Sequence, residues 1–441
     1  MSEPSFRISL LLFLIATALV VHQMWTTRSL GIGCAYLFQL WIFYAAGACL
    51  HALPWSELPN DQAVFDGFAM SAYGAIAFAA GWCVRSTIFR GRHAAAVHQD
   101  QGIARVYLIS GLVSSFVLVP LLAGVPSVAA VVRAAGQLVL AGLCLGAYLS
   151  WRRGGWRPML KWAAPALLLP VITVFRLGFL GYGIIALSVV AIFCATFVRP
   201  RWVLVAGFTI AAYCGISVFV AYMQTRTEIR AAVWGGEGVA ERLAPMLHAA
   251  SRVRPFDFTN QSDLVTFDGR MDQSYLVGLA VERLSQSEDF ARGETLVKAA
   301  LGLIPRIFWP DKPASGGSGG LVSRFTGLQF AQGTSVGIGP VMELYVNFGV
   351  PCVIIGFFLI GLFLSYADAR AAEFLRVGDW QQFVLWFLVA VGVLQVSGSF
   401  VEVISTVGAS VVAAHVINAV LSGRSRAARS AVQARRRFQA A

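Results

Sequence analysis

Hydrophobic and polar positions along this chain sort into long apolar runs and one broad interruption. Eleven runs are apolar and nearly free of charge, at about residues 8–24, 30–50, 67–84, 104–122, 127–150, 161–175, 177–198, 202–222, 345–366, 381–399 and 402–421. Most approach the roughly 20 residues with which a helix crosses the hydrocarbon of a bilayer, every backbone group paired internally. None alternates polar and apolar over about ten residues, as a barrel strand does. The pattern predicts an all-α polytopic membrane protein with about 11 transmembrane helices. The sixth run is short, and with the seventh it predicts a tight hairpin turning at Phe175 and Arg176.

Eight runs precede and three follow a hydrophilic insert, so the chain divides into an N-terminal membrane bundle (1–222), a large loop (223–335), C-terminal membrane helices (336–422) and a basic tail (423–441). Within the insert, 225–234 extends the eighth span until Gly235, Gly236 and Gly238 break it, and 239–252 reads as a short amphipathic helix that ends at Arg254-Pro255. A polar loop through Asn260 and Asp263 leads to a turn signal at Asp268-Gly269-Arg270. From Met271 to Ser285, Tyr275, Leu276, Leu279 and Leu284 recur at helical spacing, and a further helix runs from Glu294 to Ile304 and stops at Pro305. Such helices can lie at the bilayer surface as a lid or simply pack on one another.

Composition agrees with the pattern. With 57% hydrophobic residues, 13% charged and a mean hydropathy of +0.70, the charge is too sparse to cover a water-soluble globule of 441 residues. The net charge of +12 adds orientation. Basic linkers carrying Arg85, Arg90, Arg92 and Arg105, then Arg152, Arg153, Arg157 and Lys161, then Arg199 and Arg201, alternate with linkers nearly free of basic residues, and the tail from Arg424 to Arg437 is basic again. The positive-inside rule makes these cytoplasmic, which puts the insert on the outer face. The insert itself holds twelve Lys/Arg and twelve Asp/Glu, so the excess charge belongs to the cytoplasmic face and its anionic lipid headgroups. No aromatic-laced basic patch of a nucleic-acid reader is present. All seven cysteines fall in the apolar runs, which implies neither a disulfide framework nor a thiolate metal site. The first run lacks a small-residue cleavage site and reads as a retained span, and no internal repeat or inverted duplication stands out.

Candidate chemistry concentrates late in the insert. Pro305-Arg306-Ile307-Phe308-Trp309-Pro310-Asp311-Lys312-Pro313 carries three prolines in nine residues, with Arg306 and Lys312 held beside interfacial aromatics. Gly316, Gly317, Gly319 and Gly320 follow as a permissive loop. A stiff cationic arm beside a hinge suits an anionic headgroup, and it also fits a solvated connector whose prolines only end a helix. At the outer mouth of the ninth span, Glu343 and Asn347 share one helical face. A carboxylate near the bilayer is costly unless paired or functional. Glu343 is therefore the leading general-base candidate, with a buried arginine ion pair as the competing reading. Glu402 is a second carboxylate candidate, Arg176 and Arg133 are cations near the outer face or inside the bundle, and His248 is the insert's only histidine.

The run Pro305-Arg306 through Trp309-Pro310-Asp311-Lys312-Pro313, preceded by Arg270 and Gly293-Glu294-Thr295 and followed by Glu343 with Tyr345-Val346-Asn347-Phe348-Gly349, resembles the oligosaccharide repeat-unit polymerases of bacterial surface polysaccharides. These are the O-antigen polymerases of the Wzy type, related to the O-antigen ligases. The motif covers Arg270 to Gly349, and the topology agrees over nearly the whole chain. The resemblance implies a GT-C-like glycosyltransferase of the bacterial inner membrane with its large loop in the periplasm. Such an enzyme joins undecaprenyl-pyrophosphate-linked oligosaccharides without a cofactor or metal. It also implies a chain-length regulator and a flippase as partners. Pyrophosphate is a good leaving group, so the site needs cations for the departing diphosphate, a base for the acceptor hydroxyl, and alignment. On that expectation Arg306, with Lys312 and Arg270 or Arg176, takes the diphosphate. Glu343 is the base, Asn347 orients it or the acceptor, and Trp309, Asp311 and Tyr345 bind substrate. A ligase, whose family uses a histidine in the large loop, and a lipid-linked oligosaccharide transporter remain the alternatives.

Overall fold

A computed structural model describes residues 2–27, 29–88, 101–122, 124–199, 201–304, 318–330 and 336–439. The chain is 83% helix, with no strand among the described residues. Each predicted apolar run falls on a helix. In the first part of the chain these are α1 (Ser2–Thr26), α2 (Ile32–His51), α3 (Asp61–Ile88), α4 (Gly102–Leu122), α5 (Ser127–Gly154), α6 (Trp156–Leu177), α7 (Gly181–Ala195) and α8 (Arg201–Trp234). The insert contributes α9 (Val239–Ser251), α10 (Gln261–Met271), α11 (Gln273–Ser287), α12 (Glu294–Leu301) and α13 (Gly319–Thr326), and the C-terminal part α14 (Gly339–Val377), α15 (Trp380–Val393) and α16 (Phe400–Gln439). Nine of these helices are long and apolar enough to cross a membrane, while α7 and α15 are shorter apolar helices of 15 and 14 residues. Side chains such as Leu11, Leu121, Leu167 and Ile210 lie exposed along these helices. That is an arrangement for lipid rather than water.

The bundle is organised around α3, which packs on α1, α14 and α11. Glycine makes the approach possible. A Cβ at Gly81 or Gly361 would meet the backbone of Phe358 or Phe78, so α3 and α14 touch main chain to main chain. Tyr36, Phe78 and Phe357 fill the space beside them. All seven cysteines are free.

The structure differs from expectation in three places, two of them in the insert. Asp268-Gly269-Arg270 is not a turn: Asn260 caps a helix by accepting the N–H of Ser262 at 2.9 Å, and that helix, α10, runs on to Met271. The capping asparagine satisfies one of the free N–H groups at the start of that helix. Second, α11 neither lies as a surface lid nor packs only on other insert helices. It lies along α3, with Gly67 against Ser274 and Gly278 against Ala63 so tightly that a Cβ at either glycine would strike backbone. Third, the α6–α7 hairpin turns at Gly178, whose φ is 72°, after the helix has passed through Arg176. The Gly178 carbonyl accepts from Tyr222 Oη at 2.7 Å and Arg230 Nε at 3.2 Å, so α8 clamps the turn two residues beyond the position that hydrophobicity alone suggested.

Candidate functional site

α14 is broken where its chemistry begins. Phe348 (φ −147°) and Gly349 (φ 67°) leave helical geometry just before Pro351. A leading segment from Gly339 to Asn347 is thereby separated from the long apolar part. The break removes acceptors from the helical ladder, and Val346 O instead accepts the Ala291 N–H at 2.8 Å. Asn347 extends the same link: Nδ2 donates to Thr295 Oγ1 at 2.7 Å and to Glu343 O at 2.6 Å, and Oδ1 accepts the Gly293 N–H at 2.9 Å. Gly293, at φ 91°, occupies the left-handed region as the cap of α12.

Glu343 is fully buried at 0% exposure. Its Oε2 accepts the Phe400 N–H at 2.7 Å, which places the carboxylate at the positive end of α16. No arginine pairs with it among the described residues. The Thr295 hydroxyl stands beside the carboxylate, while Oε1 has no hydrogen-bond partner among the described residues. Glu402 faces Glu343 from the first turn of α16. It forms a capping box with Ser399: Ser399 N donates to Glu402 Oε2 at 3.0 Å, and Glu402 N donates to Ser399 Oγ at 3.4 Å. Glu402 thus has a structural role at the helix end. Tyr345 is buried with its ring 6.3 Å from that of Phe290.

Arg270 does not join Arg176. The Arg176 guanidinium donates to Ser115 O and lies 4.7 Å from the Phe116 ring, a structural use within the bundle. Arg270 instead meets Arg226 and Arg230 of α8, close enough for their charges to act on one another, with Tyr222 beside them. Partial burial, then the charge of Arg230, lowers the Arg270 guanidinium from its ordinary value. Arg230 is tied down by Gly178 O and by the rings of Phe179 and Trp234, at 4.3 and 5.2 Å. Among the described residues no carboxylate pairs with any of the three.

Gln273 brings the start of α11 against the helix that carries Glu343. Gln273 lies three residues after Arg270, its Oε1 stands 2.6 Å from where a Cβ of Gly339 would be, and Gly339 is one helical turn before Glu343. Tyr44 Oη reaches the same point. Four of the nine buried side-chain atoms without a partner among the described residues belong to residues at or near this contact in sequence or space: Tyr44 Oη, Asp272 Oδ2, Gln273 Oε1 and Glu343 Oε1. A buried polar atom left unpaired costs about 1–3 kcal/mol, so their concentration marks a polar interior built for something other than packing. Burial, reinforced by the charge of Asp268, also pushes the Asp272 carboxyl up to about 7.

Of the residues expected from sequence, Glu343, Asn347 and Tyr345 share one segment, and Thr295 and Gly293 join them. Arg270 stands with Arg226 and Arg230, and Arg176 stands elsewhere. Arg306, Trp309, Asp311 and Lys312 lie outside the described residues. Arg133 is exposed, and His248 is a surface histidine 3.2 Å from Glu228. Sequence reasoning passed over Arg226 and Arg230, whose i, i+4 spacing at the polar end of α8 was the available signal. It also passed over the grouping of His51, Asp61, Asp268 and Asp272; Asp268 and Asp272 are four residues apart, but no spacing connects them to His51 and Asp61.

A scan against protein-family models finds no match to this chain, and neither the curated proteins nor the solved structures yield one.

Proposed function

We propose that this chain polymerises undecaprenyl-pyrophosphate-linked oligosaccharide repeat units into a surface polysaccharide at the periplasmic face of the bacterial inner membrane. One observation carries the reading. Arg226, Arg230 and Arg270 have no carboxylate partner among the described residues, and the same chain buries the carboxylate of Glu343 at the start of a helix long and apolar enough to cross a membrane. Guanidinium forks match phosphate oxygens with paired hydrogen bonds, and a lipid-linked substrate accounts for their place at the end of membrane helices.

In the proposed reaction an acceptor sugar hydroxyl attacks the anomeric carbon of the donor glycan. The new glycosidic C–O bond forms as the C–O bond to the diphosphate breaks, and undecaprenyl diphosphate leaves with the electron pair. Glu343 takes the hydroxyl proton. Arg270, Arg226 and Arg230 hold the diphosphate, supplemented by Arg306 and Lys312. Asn347 fixes Glu343, and Tyr345, Trp309 and Asp311 contribute to sugar binding. Direct displacement inverts the anomeric centre. Energy comes from the donor, with no nucleotide motif in the chain. A flippase supplies the donor in this scheme, and a chain-length regulator limits the product. At the opposite end of α14, a cavity of about 220 Å³ lined by Arg199, Arg201, Arg376 and Tyr148 suits an anionic phospholipid headgroup of the cytoplasmic leaflet.

The test is to incubate the purified chain in nanodiscs with a lipid-pyrophosphate-linked repeat unit and resolve the products. A ladder of longer lipid-linked glycans, lost in Glu343→Gln, supports polymerisation; a single transfer to lipid A core means ligation. The broken helix α14 favours one second reading, transport of a lipid-linked oligosaccharide, since transporters build sites at discontinuous helices. Movement of the lipid-linked glycan across the bilayer without any new glycosidic bond selects that reading.

A further inference from the structure

The structure brings together a histidine and three aspartates from four places in the chain. His51 ends α2, Asp61 opens α3, Asp268 lies near the end of α10, and Asp272 occupies the α10–α11 junction as the cap of α11. The His51 side chain is completely buried. Its Nδ1 is 2.6 Å from Asp61 Oδ1, and its Nε2 is 3.0 Å from Asp268 Oδ1 and 3.9 Å from Asp272 Oδ2. One donor atom from each of His51, Asp268 and Asp272 lies within 4.8 Å of the others. Ligands about 2.1 Å from a tetrahedral metal stand about 3.4 Å apart, so closing on a cation requires shifts of well under the length of a side chain.

Two further observations separate this group from an ordinary acidic cluster. Asp272 is only 9% exposed, and its Oδ2, on the side facing the imidazole, is buried with no hydrogen-bond partner among the described residues. Its entry is prepared by Gly47 of α2, where a Cβ would fall 2.6 Å from the Asp272 Cβ. Charge is the second. Three carboxylates surround one imidazole, and among the described residues no lysine or arginine pairs with any of them. The carboxylates outnumber the one imidazole that faces them, and a cation would offset the excess.

We propose that His51 Nε2, Asp268 and Asp272 bind one divalent transition-metal cation of the class that accepts mixed imidazole and carboxylate ligands, Zn²⁺ or Mn²⁺, with Asp61 fixing the ring through Nδ1. The donor set is that of imidazole-tolerant ions rather than of Mg²⁺ or Ca²⁺, which prefer oxygen alone. A carboxylate on the far ring nitrogen holds the tautomer with its Nε2 lone pair turned toward the metal. The ion staples the α10–α11 junction to the start of α3 and the end of α2. The inference rests on these four residues and not on the polymerase reading.

The experiment uses the full chain in nanodiscs, stripped with chelator and titrated with Zn²⁺ and separately with Mn²⁺. Bound metal is counted after dialysis, and thermal melting is followed in parallel. One saturable equivalent per chain is expected. At a hundredfold excess over Kd a ligand specific to the folded state raises the folded-to-unfolded ratio about a hundredfold. Asp272→Asn and Asp268→Asn lose the site, Asp61→Asn weakens it about 10- to 100-fold, and His248→Ala leaves it unchanged. Asp272→Asn and Asp268→Asn are both made so that a folding defect in one does not decide the result, and each is checked by melting in chelator. Absence of saturable binding of either ion overturns the proposal, as does unchanged binding in a folded Asp272→Asn. A melt that ignores both metals and rises in Asp272→Asn would assign the cluster to a doubly bonded imidazolium instead.

Discussion

The Glu343 carboxylate accepts the Phe400 backbone N–H at 2.7 Å, so one membrane helix is capped by a side chain 57 residues earlier in the chain. The same group has an oxygen, Oε1, without a partner among the described residues. One carboxylate thus carries a structural duty on one oxygen and has the other available for a proton.

Substitution should separate the two duties. Glu343→Gln retains an acceptor for Phe400 and is expected to melt near the parent while losing transfer by about 10²- to 10⁴-fold, the usual worth of a positioned base. Glu343→Ala leaves the Phe400 N–H unpaired and should lose about 1–3 kcal/mol in addition. Thermal melting of both purified variants checks this, and equal melting points would remove the capping role.

Asn347 makes three hydrogen bonds, two that tie α12 to α14 through Thr295 and Gly293 and one to Glu343 O within α14. At about 1 kcal/mol each, Asn347→Leu is expected to cost about 3 kcal/mol in denaturant melts. Thr295→Ala should cost about 1 kcal/mol. A melt unaffected by Asn347→Leu would show that the link contributes nothing to the fold.

Arg270 and Arg176 should behave oppositely. Arg270 faces other arginines, so Arg270→Gln removes repulsion and should melt no lower than the parent, while affinity for a lipid diphosphate falls about 10- to 100-fold, as for one lost charged hydrogen bond. Arg176→Gln loses its contacts with Ser115 and Phe116 and should melt lower with affinity unchanged. Competition by a short prenyl diphosphate measures the first, and the melt measures the second.

Two glycines give a paired test of the α11–α3 contact. An alanine at Gly278 would drive its Cβ into the Ala63 backbone, whereas nothing lies within 4 Å of a Cβ at Gly269 in α10. Gly269→Ala is expected to stabilise by about 0.4–1 kcal/mol through the unfolded chain, and Gly278→Ala to destabilise strongly. Similar melts for the two would mean that α11 does not lie against α3.

Glu294 joins α12 to α13 through Arg324 at 2.8 Å and pairs within α12 with Lys298 at 2.5 Å, and those hydrogen bonds lower its carboxyl to about 2. Because the folded value lies below the ordinary 4.5, its stabilisation is complete above pH 4.5 and fades as pH falls toward 2. The pair is exposed, so the effect is small. Hydrogen exchange in α13 should rise over that window in the parent and show no such dependence in Glu294→Gln.

Periodicity and hydropathy located all the apolar helices, and the insert helices α9, α11 and α12, because burial in lipid or against a neighbour leaves a local record in residue type. The i, i+4 pair Glu343 and Asn347 was legible for the same reason: four residues on a helix bring two side chains to one face. Two turns were misplaced by a residue or two, at Arg176 and at Asp268-Gly269-Arg270, since a cap such as Asn260 and a clamp such as Tyr222 act through geometry that composition does not carry.

What the sequence by itself determined is therefore the class of the protein and its division into apolar helices around a polar insert, because the cost of an unpaired backbone in hydrocarbon is local and leaves few options. Only the tertiary structure decided that Glu343 caps α16, that Arg270 stands with Arg226 and Arg230 rather than Arg176, and that His51 meets Asp61, Asp268 and Asp272. Those contacts join residues as far apart as His51 and Asp272, and pairing over such distances is set by how helices pack, through glycines such as Gly67 and Gly278, and not by any local pattern.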